Sequence, residues 1–190
     1  MEILYEDEAL IFVNKPQGLV VQRGYDADEP VLHEEVQRYL QEKGEISFLM
    51  QRLDRGTSGV IFFSKSAMHN ANITRQFERK KISKRYLALC EGSISEKQLV
   101  DAPLARIGPI SFGVRPEGKR ALTKIVSLAH SDRGSLLDIT LLTGRTHQIR
   151  VHLAAIGHPL AGDWLYGDRN AVRPMLHASR LRMTQPKEGH

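Results

Sequence analysis

The segment LLTGRTHQIRVH, residues 141–152, joins a β-prone run to a helix through a glycine turn. Gly144 interrupts the apolar run, and apolar residues then recur at helical spacing. The pattern predicts a helix over 147–156 that is closed by Gly157. A strand that turns directly into a helix exposes Arg145, and the backbone N–H groups at the start of the helix can help to bind anions.

The flanking sequence predicts strands and helices in mixed order. β-prone runs at 121–129 and 135–142 are expected to pair across the turn at 131–134, and runs at 3–5 and 10–13 predict an N-terminal hairpin. Further predicted elements are a helix over 30–43, a helix that is capped by Ser66 and runs to Arg79, strands over 60–63 and 85–90, and a region of loops or short strands over 93–118. Because strands and helices do not alternate strictly, we predict an α+β fold with a mixed, largely antiparallel sheet.

The composition is that of a globular protein. Hydrophobic residues make up 41% and charged residues 26% of the 190 residues. The single cysteine, Cys90, excludes an internal disulfide framework and a cysteine-based zinc cluster. No apolar run approaches the length of a membrane span, and the N-terminus lacks the layout of a signal peptide, so we expect a cytoplasmic protein.

The positive charges are concentrated in two places. The formal net charge is only +5, which by itself does not decide whether the partner is a nucleic acid. One basic stripe consists of Arg75, Arg79, Lys80, Lys81, Lys84 and Arg85. A second basic group, near the C-terminus, consists of Arg169, Arg173, Arg180, Arg182 and Lys187. Either could be a solvated surface or a set of phosphate contacts.

The most unusual short sequence is QRLDRGTSG, residues 51–59. It places Asp54 between Arg52 and Arg55, ahead of a turn. Nearby positive charge favours the carboxylate form, and a carboxylate in a basic environment can act as a nucleophile or base. A surface ion pair in a turn has the same pattern, so both interpretations stay open on the residues alone.

The histidines do not follow a metal-binding pattern. His147, His152, His158 and His177 have the wrong spacing for an H-E-x-x-H site, and no acidic partner lies close in sequence. Structural histidines are the simpler interpretation. The sequence also lacks a Walker A loop and a G-x-G-x-x-G fingerprint, so we expect no metal and no cofactor.

The ordered motifs of the chain resemble those of RluA-type pseudouridine synthases. The family signature HRLDxxTSG stands here as QRLDRGTSG, and it is joined by the NKPxG, KxYLA, GRTHQIRVHLAxxGHPxxGDxxYG and LHAxxL motifs. They occupy Asn14–Gly18, Gln51–Gly59, Lys84–Ala88, Gly144–Gly167 and Leu176–Leu181. One departure is Gln51, where the family usually has His. Gln can still form hydrogen bonds, so we expect it to tune the activity rather than abolish it.

The resemblance implies a fold of two lobes with flanking helices and a central cleft. It further implies a single catalytic domain over 1–190, with no S4-type RNA-binding domain, that acts as a monomer on ribosomal or transfer RNA. The implied chemistry is isomerisation of uridine to pseudouridine with flipping of the target base. Asp54 would be the essential carboxylate, Arg150 its ion-pair partner and Tyr86 the residue packed on the base. Residues expected to bind the substrate are Arg52, Arg145, Leu176, Lys80, Lys81 and Lys84.

Two rival interpretations remain at this point. A catalytically inactive RNA-binding protein of the same fold would retain the basic stripe, and Gln51 is compatible with it. A hydrolase of small nucleosides would need a second carboxylate for acid catalysis, for which Asp163 and Asp168 are candidates.

Overall fold

The computed structural model describes residues 1–24, 29–168 and 170–187, which divide into two compact units. The first unit contains Met1–Ile82 and Leu181–His190, and the second contains Ser83–Arg180. Arg169, from the C-terminal basic group, lies outside the described residues. Each unit combines strands with at least one helix, and the strand pairing is largely antiparallel, which confirms the predicted α+β class. The single-domain organisation and the central cleft stay predictions.

The first unit is built on three neighbouring strands in the order β1-β2-β4, with β3 also paired to β4. Its elements are β1 (Glu2–Glu6), β2 (Leu10–Lys15), α1 (Leu32–Gln41), β3 (Phe48–Leu49), β4 (Ser58–Ser64) and α2 (Ala67–Glu78). The N-terminal hairpin and both helices of this unit are therefore confirmed.

Local side chains set the turns and ends of the first unit. The carboxylate of Asp7 accepts hydrogen bonds from the amides of Ala9 and Leu10, each at 2.8 Å, which closes the turn between β1 and β2. Ser66 caps α2 as predicted, because its hydroxyl accepts from the amide of Met68 at 3.3 Å. Lys80 follows the end of α2 with φ 53°, the left-handed conformation that commonly terminates helices.

The second unit contains a run of strands in the order β11-β5-β10-β9-β6 and a separate β7–β8 pair. Its elements are β5 (Ser83–Glu91), β6 (Gln98–Asp101), β7 (Leu104–Arg106), β8 (Phe112–Val114), β9 (Leu122–Ser131), β10 (Gly134–Leu141), α3 (Gln148–Ala155) and β11 (Leu176–Arg182), whose last two residues belong to the first unit. The predicted β9–β10 hairpin forms, and the interrupted region 93–118 contains three short strands. The strand β11 was not predicted from the sequence.

Each unit has its own hydrophobic core. In the first, Leu10, Phe62 and Ile73 pack together with Ala9 and Ile82. In the second, Leu104, Ala121 and Val151 form a cluster against the β7–β8 pair. A line of buried residues also crosses β5, β10 and β9, where Tyr86, Ile139 and Ile125 lie opposite one another. These cores fix the strands from which the functional side chains project.

Candidate active site

Asp54 lies in the first unit, in a turn immediately before β4. The turn is closed by the amide of Thr57, which donates to the backbone carbonyl of Asp54 at 3.0 Å. Leu53 and Thr57 are buried on either side, whereas Asp54 itself is only half-buried. The buried neighbours anchor the turn, and the carboxylate-bearing residue keeps access to the surface.

The two arginines beside Asp54 are both exposed. Arg55 forms a salt bridge with Glu29 at 2.5 Å, and its Nε donates to the carbonyl of Gly18 at 3.2 Å. Arg55 therefore ties the Asp54 turn to the loop after β2. Arg52, which the sequence predicted to contact the substrate, is exposed.

Lys15 is a polar residue of this site that sequence reasoning missed. It ends β2, and its side chain is completely buried, in line with the inward residues Ile11 and Val13. Its ammonium donates to the carbonyls of Pro16, Leu19 and Arg55 at 2.9, 2.7 and 3.2 Å. Burial lowers the pKa of Lys15 to about 8, although the negative charge of Asp54 opposes that change. The available signal was the lysine itself, at an inward position of an alternating strand.

Tyr86 lies in the second unit on β5 and is 6% exposed. Side-chain alternation puts Lys84 on the same face as Tyr86 and puts Arg85 on the opposite face. The ammonium of Lys84 lies against Gly144, where a Cβ atom would approach it to 3.1 Å. Burial lowers the pKa of Lys84. The structure thus brings Lys84 to the turn that carries Arg145.

Arg85 differs from the rest of the basic stripe. Its guanidinium pairs with the carboxylate of Asp138 on β10, and its Nε donates to that carboxylate at 3.0 Å. Arg75, Arg79, Lys80 and Lys81 are exposed in the first unit, whereas Lys84 and Arg85 are half-buried in the second. The stripe is therefore divided into an exposed part and a part with structural contacts.

Arg150 projects from α3 and is 5% exposed. Its Nε and Nη2 each donate to the carboxylate of Asp163 at 2.7 Å, which makes a bidentate ion pair with a fully buried partner. Its guanidinium also lies 5.0 Å from the ring centroid of Tyr166. The predicted pairing of Arg150 with Asp54 stays a prediction.

Asp163 accepts further hydrogen bonds from the amides of Leu165 and Tyr166, at 3.0 and 3.2 Å. Because Asp163 is completely buried and its oxygens are occupied by four donors, it is poorly placed to give a proton to a substrate. This arrangement weakens the hydrolase alternative, which needs a second catalytic carboxylate.

The sequence pattern of the RNA pseudouridylate synthase family matches residues 9–155, a span that contains Asp54, Tyr86 and Arg150. The chain belongs to this family. The RluA-type resemblance drawn from the motifs is thereby confirmed.

Similar proteins carry related names. An uncharacterized RNA pseudouridine synthase of Bacillus subtilis (strain 168) is 36% identical over 98% of this chain and 65% of its own length. The ribosomal large subunit pseudouridine synthase D of Nitrosomonas europaea is 36% identical over 100% of this chain and 59% of its own. The chain thus spans about three fifths of the length of these relatives.

The solved structure of human RNA pseudouridylate synthase domain containing 1 superimposes with a TM-score of 0.80 and 29% identity, over 96% of this chain and 78% of that one. The solved structure of human RNA pseudouridylate synthase domain containing 4 shares the fold, with a TM-score of 0.80 and 23% identity over 96% of this chain and 84% of that one. These neighbours confirm the predicted α+β fold class.

Gln51, which stands where this synthase family usually has His, has an unusual environment in the structure. The Nε2 atom of Gln51 is buried and makes no hydrogen bond to any part of the chain that the structure describes. A buried unpaired donor is destabilising. The side chain of Gln51 therefore has an unsatisfied hydrogen-bond donor among the described residues.

The histidines of the GRTHQIRVH segment have structural partners. His147 Nδ1 lies 2.7 Å from the hydroxyl of Tyr166, and φ 55° at His147 explains why α3 begins one residue later than predicted. His152 is buried, with Nε2 2.9 Å from the carbonyl of Ala102 and Nδ1 2.8 Å from the hydroxyl of Thr123. A carbonyl only accepts, so Nε2 carries the proton and Nδ1 accepts. Burial lowers the pKa of His152, which favours this neutral form.

Gln148 links the same segment to the neighbouring strand. Its Nε2 donates to the carbonyl of Leu122 and the hydroxyl of Thr123, at 2.8 and 2.9 Å. Its Oε1 accepts from the hydroxyl of Thr143 at 2.8 Å and from the amide of Arg145 at 3.0 Å. Gln148 therefore fixes the turn that leaves Arg145 exposed, as the sequence predicted.

Leu176 is 5% exposed on β11, and Arg180 and Arg182 of the C-terminal basic group are exposed. Among residues 1–24, 29–168 and 170–187, no group of three or more His, Cys, Asp or Glu side chains could hold a metal ion. Within those same ranges, no helix is long and apolar enough to cross a membrane.

Proposed function

We propose that this chain isomerises uridine to pseudouridine in RNA. The observation that carries the proposal is the family match over residues 9–155, because it includes Asp54, Tyr86 and Arg150 together. The named relatives support ribosomal RNA as the substrate, since one of them is a ribosomal large subunit pseudouridine synthase. We further propose that the protein acts as a cytoplasmic monomer and needs no metal or cofactor.

The reaction breaks the C1′–N1 bond and joins C1′ to C5. C5 then loses its proton and N1 gains one, so atoms and electrons balance without a redox partner. Asp54 supplies the essential carboxylate, whether it attacks C1′ or C6 or takes a proton from C2′. Its half-buried position in an anchored turn supports this role.

The target base must leave its stack to reach Asp54. In the proposed complex Tyr86 and Leu176 pack against the base, and Arg150 pairs with Asp54. Arg52 occupies the vacated space or holds a phosphate. The burial of Tyr86 and Leu176 supports a packing role for each.

Phosphate contacts are assigned to exposed or partly exposed cations. Lys80 and Lys81 are exposed just beyond the end of α2, and Arg145 is exposed in the turn fixed by Gln148. Lys84 is the fourth contact, on the face of β5 that carries Tyr86. Contacts of this kind bind RNA largely by releasing counterions.

The test is tritium release from RNA that carries uridine tritiated at C5. We expect release by the unmodified protein and less than a few per cent of that rate in Asp54→Asn, with RNA binding changed by only several-fold. Asp132→Asn is the matched control, because Asp132 is exposed in the turn between β9 and β10. Turnover in Asp54→Asn above a few per cent would remove Asp54 as the essential carboxylate.

The same assay separates the alternatives. An inactive RNA-binding protein would bind the RNA without releasing tritium. A nucleoside hydrolase would release uracil from uridine in the absence of RNA.

A further inference from the structure

Lys15 has an environment unusual for a lysine. The side chain has 0% exposure, and its ammonium faces the carbonyls of Pro16, Leu19 and Arg55. An ammonium has three N–H donors and no acceptor, so three carbonyls use its full capacity. An apolar side chain at this inward strand position would fill the space without the penalty of burying a charge. Packing alone therefore does not explain a lysine at this position.

The carbonyl of Arg55 connects Lys15 to the Asp54 turn. This carbonyl accepts from Lys15 and also from the amide of Gly18 at 2.9 Å. The next bond along the turn runs from the amide of Thr57 to the carbonyl of Asp54. The loop after β2 and the Asp54 turn thus form one hydrogen-bonded assembly with the ammonium at its centre.

We propose that Lys15 is a positioning residue for Asp54, whose ammonium holds the Asp54 turn in its reactive place and keeps a positive charge beside the carboxylate. This inference rests on the proposed function, because Asp54 is the reactive group only there. Lys15 acts through the turn and does not itself touch the substrate.

The charge state of Lys15 changes within an accessible pH range. Burial lowers its pKa to about 8, and Asp54 is the charged group that opposes this change. Arg55 is the other charged side chain on the adjoining turn, and its guanidinium is occupied by Glu29 and the carbonyl of Gly18. Above the pKa, the neutral amine has two N–H donors for three carbonyls, and the positive charge beside Asp54 is lost.

The experiment compares Lys15→Met and Lys15→Arg with Lys65→Met. Lys65 is the matched control, because its ammonium is similarly enclosed in the same unit but bonds to Glu6, Glu45 and the carbonyl of Asp7. Single-turnover rates at saturating RNA, RNA affinity and thermal stability are measured for each variant. Hydrogen exchange of segments 16–19 and 54–57 is followed in parallel.

For Lys15→Met we expect a single-turnover rate 10- to 100-fold lower, RNA affinity within about threefold, and faster exchange in both segments. Lys65→Met should be less stable, but its single-turnover rate should stay within about twofold of the original. Hydrogen exchange in segment 54–57 should not become faster in this variant. In the unmodified protein the rate should fall as the pH rises through about 8. In Lys15→Arg that fall should disappear, because a guanidinium stays charged.

A Lys15→Met rate within twofold of the original, or equal slowing in Lys65→Met, would overturn the proposal. If Lys15→Met does not fold, the pH profile decides: a rate that is constant through pH 8, or a fall that persists in Lys15→Arg, overturns it. If the unmodified protein forms no pseudouridine, the proposed function fails. Lys15 is then still shown to hold the turn if exchange in 54–57 accelerates in Lys15→Met alone, and unchanged exchange overturns that role too.

Discussion

Replacing Asp163 with Asn should destabilise the protein strongly. The carboxylate is fully buried and accepts four hydrogen bonds, two from Arg150 and one each from the amides of Leu165 and Tyr166. Asn preserves the shape, but its NH₂ group must face one of these donors, and the guanidinium loses its counter-charge. Removing one partner of a buried ion pair destabilises by about 3–5 kcal/mol. For a chain of 190 residues we therefore expect Tm to fall by roughly 6–20 °C.

Urea unfolding followed by circular dichroism measures this loss directly. Asp168→Asn is the control from directly after the same motif, because Asp168 is exposed and its carboxylate accepts a local bond from the amide of Asn170, at 2.9 Å. It should change the free energy of unfolding by less than about 1 kcal/mol.

A double variant separates the unpaired charge from the lost hydrogen bonds. Adding Arg150→Met to Asp163→Asn removes the uncompensated guanidinium, so the double variant should be more stable than Asp163→Asn alone. If the free energy of unfolding of Asp163→Asn falls by less than about 1 kcal/mol, or if the effects of the two substitutions simply add, the buried ion pair does not have the stabilising role assigned to it.

Three further outcomes are expected from other parts of the molecule. Lys80→Glu with Lys81→Glu should weaken RNA binding and flatten its dependence on log salt by roughly 1.4–1.8, as filter binding from low to physiological salt would show; an unchanged slope would place the RNA elsewhere. Burial alone would raise the pKa of Glu6, but hydrogen bonds from Lys65, Lys43 and Tyr39 lower it to about 2. Because its pKa is lower in the folded protein than the unfolded value of 4.5, Glu6 contributes its full stabilisation above pH 4.5. Up to about 3 kcal/mol of the free energy of unfolding should therefore be lost as the pH falls from 4.5 towards 2. The urea midpoint should change less with pH across that range in Glu6→Gln than in the unmodified protein, and an equal change in both would contradict this. Tyr86→Phe should bind RNA almost normally but react more slowly, because the ring still packs whereas the hydroxyl cannot relay a proton; an equal single-turnover rate leaves Tyr86 a packing role only.

Local signals predicted much of the fold. Ser66 at the start of α2 and the acidic turn before Leu10 act through neighbours in sequence, so they could be recognised without a structure. The β9–β10 hairpin was predicted for the same reason, although its strands extend to Ser131 and Gly134 and leave a tighter turn than expected. Family motifs supplied the fold where local patterns were weak.

Contacts that are distant in sequence could not be predicted. Arg85 was assigned to the basic stripe by its neighbours in sequence, yet it pairs with Asp138, to which the register of β5 and β10 brings it. The ion pair of Arg150 with Asp163 likewise depends on how the chain returns after α3. Lys15 was overlooked because lysines are usually exposed, and only the carbonyls of two separate loops make its burial possible.

The polar residues of the GRTHQIRVH segment show why a strong motif is not by itself a list of catalytic groups. An amphipathic α3 was expected, but Gln148, Arg150 and His152 are buried together with its apolar residues. Gln148 and His152 are both tied to Thr123 of β9. Arg150 is paired with Asp163, so all three side chains have partners in the interior, where an unpaired polar group would be costly. Gln148 is explained by the turn that it holds at Arg145, and His152 by its bonds to Thr123 and Ala102. Chemical roles therefore have to be argued for each residue from what it contacts.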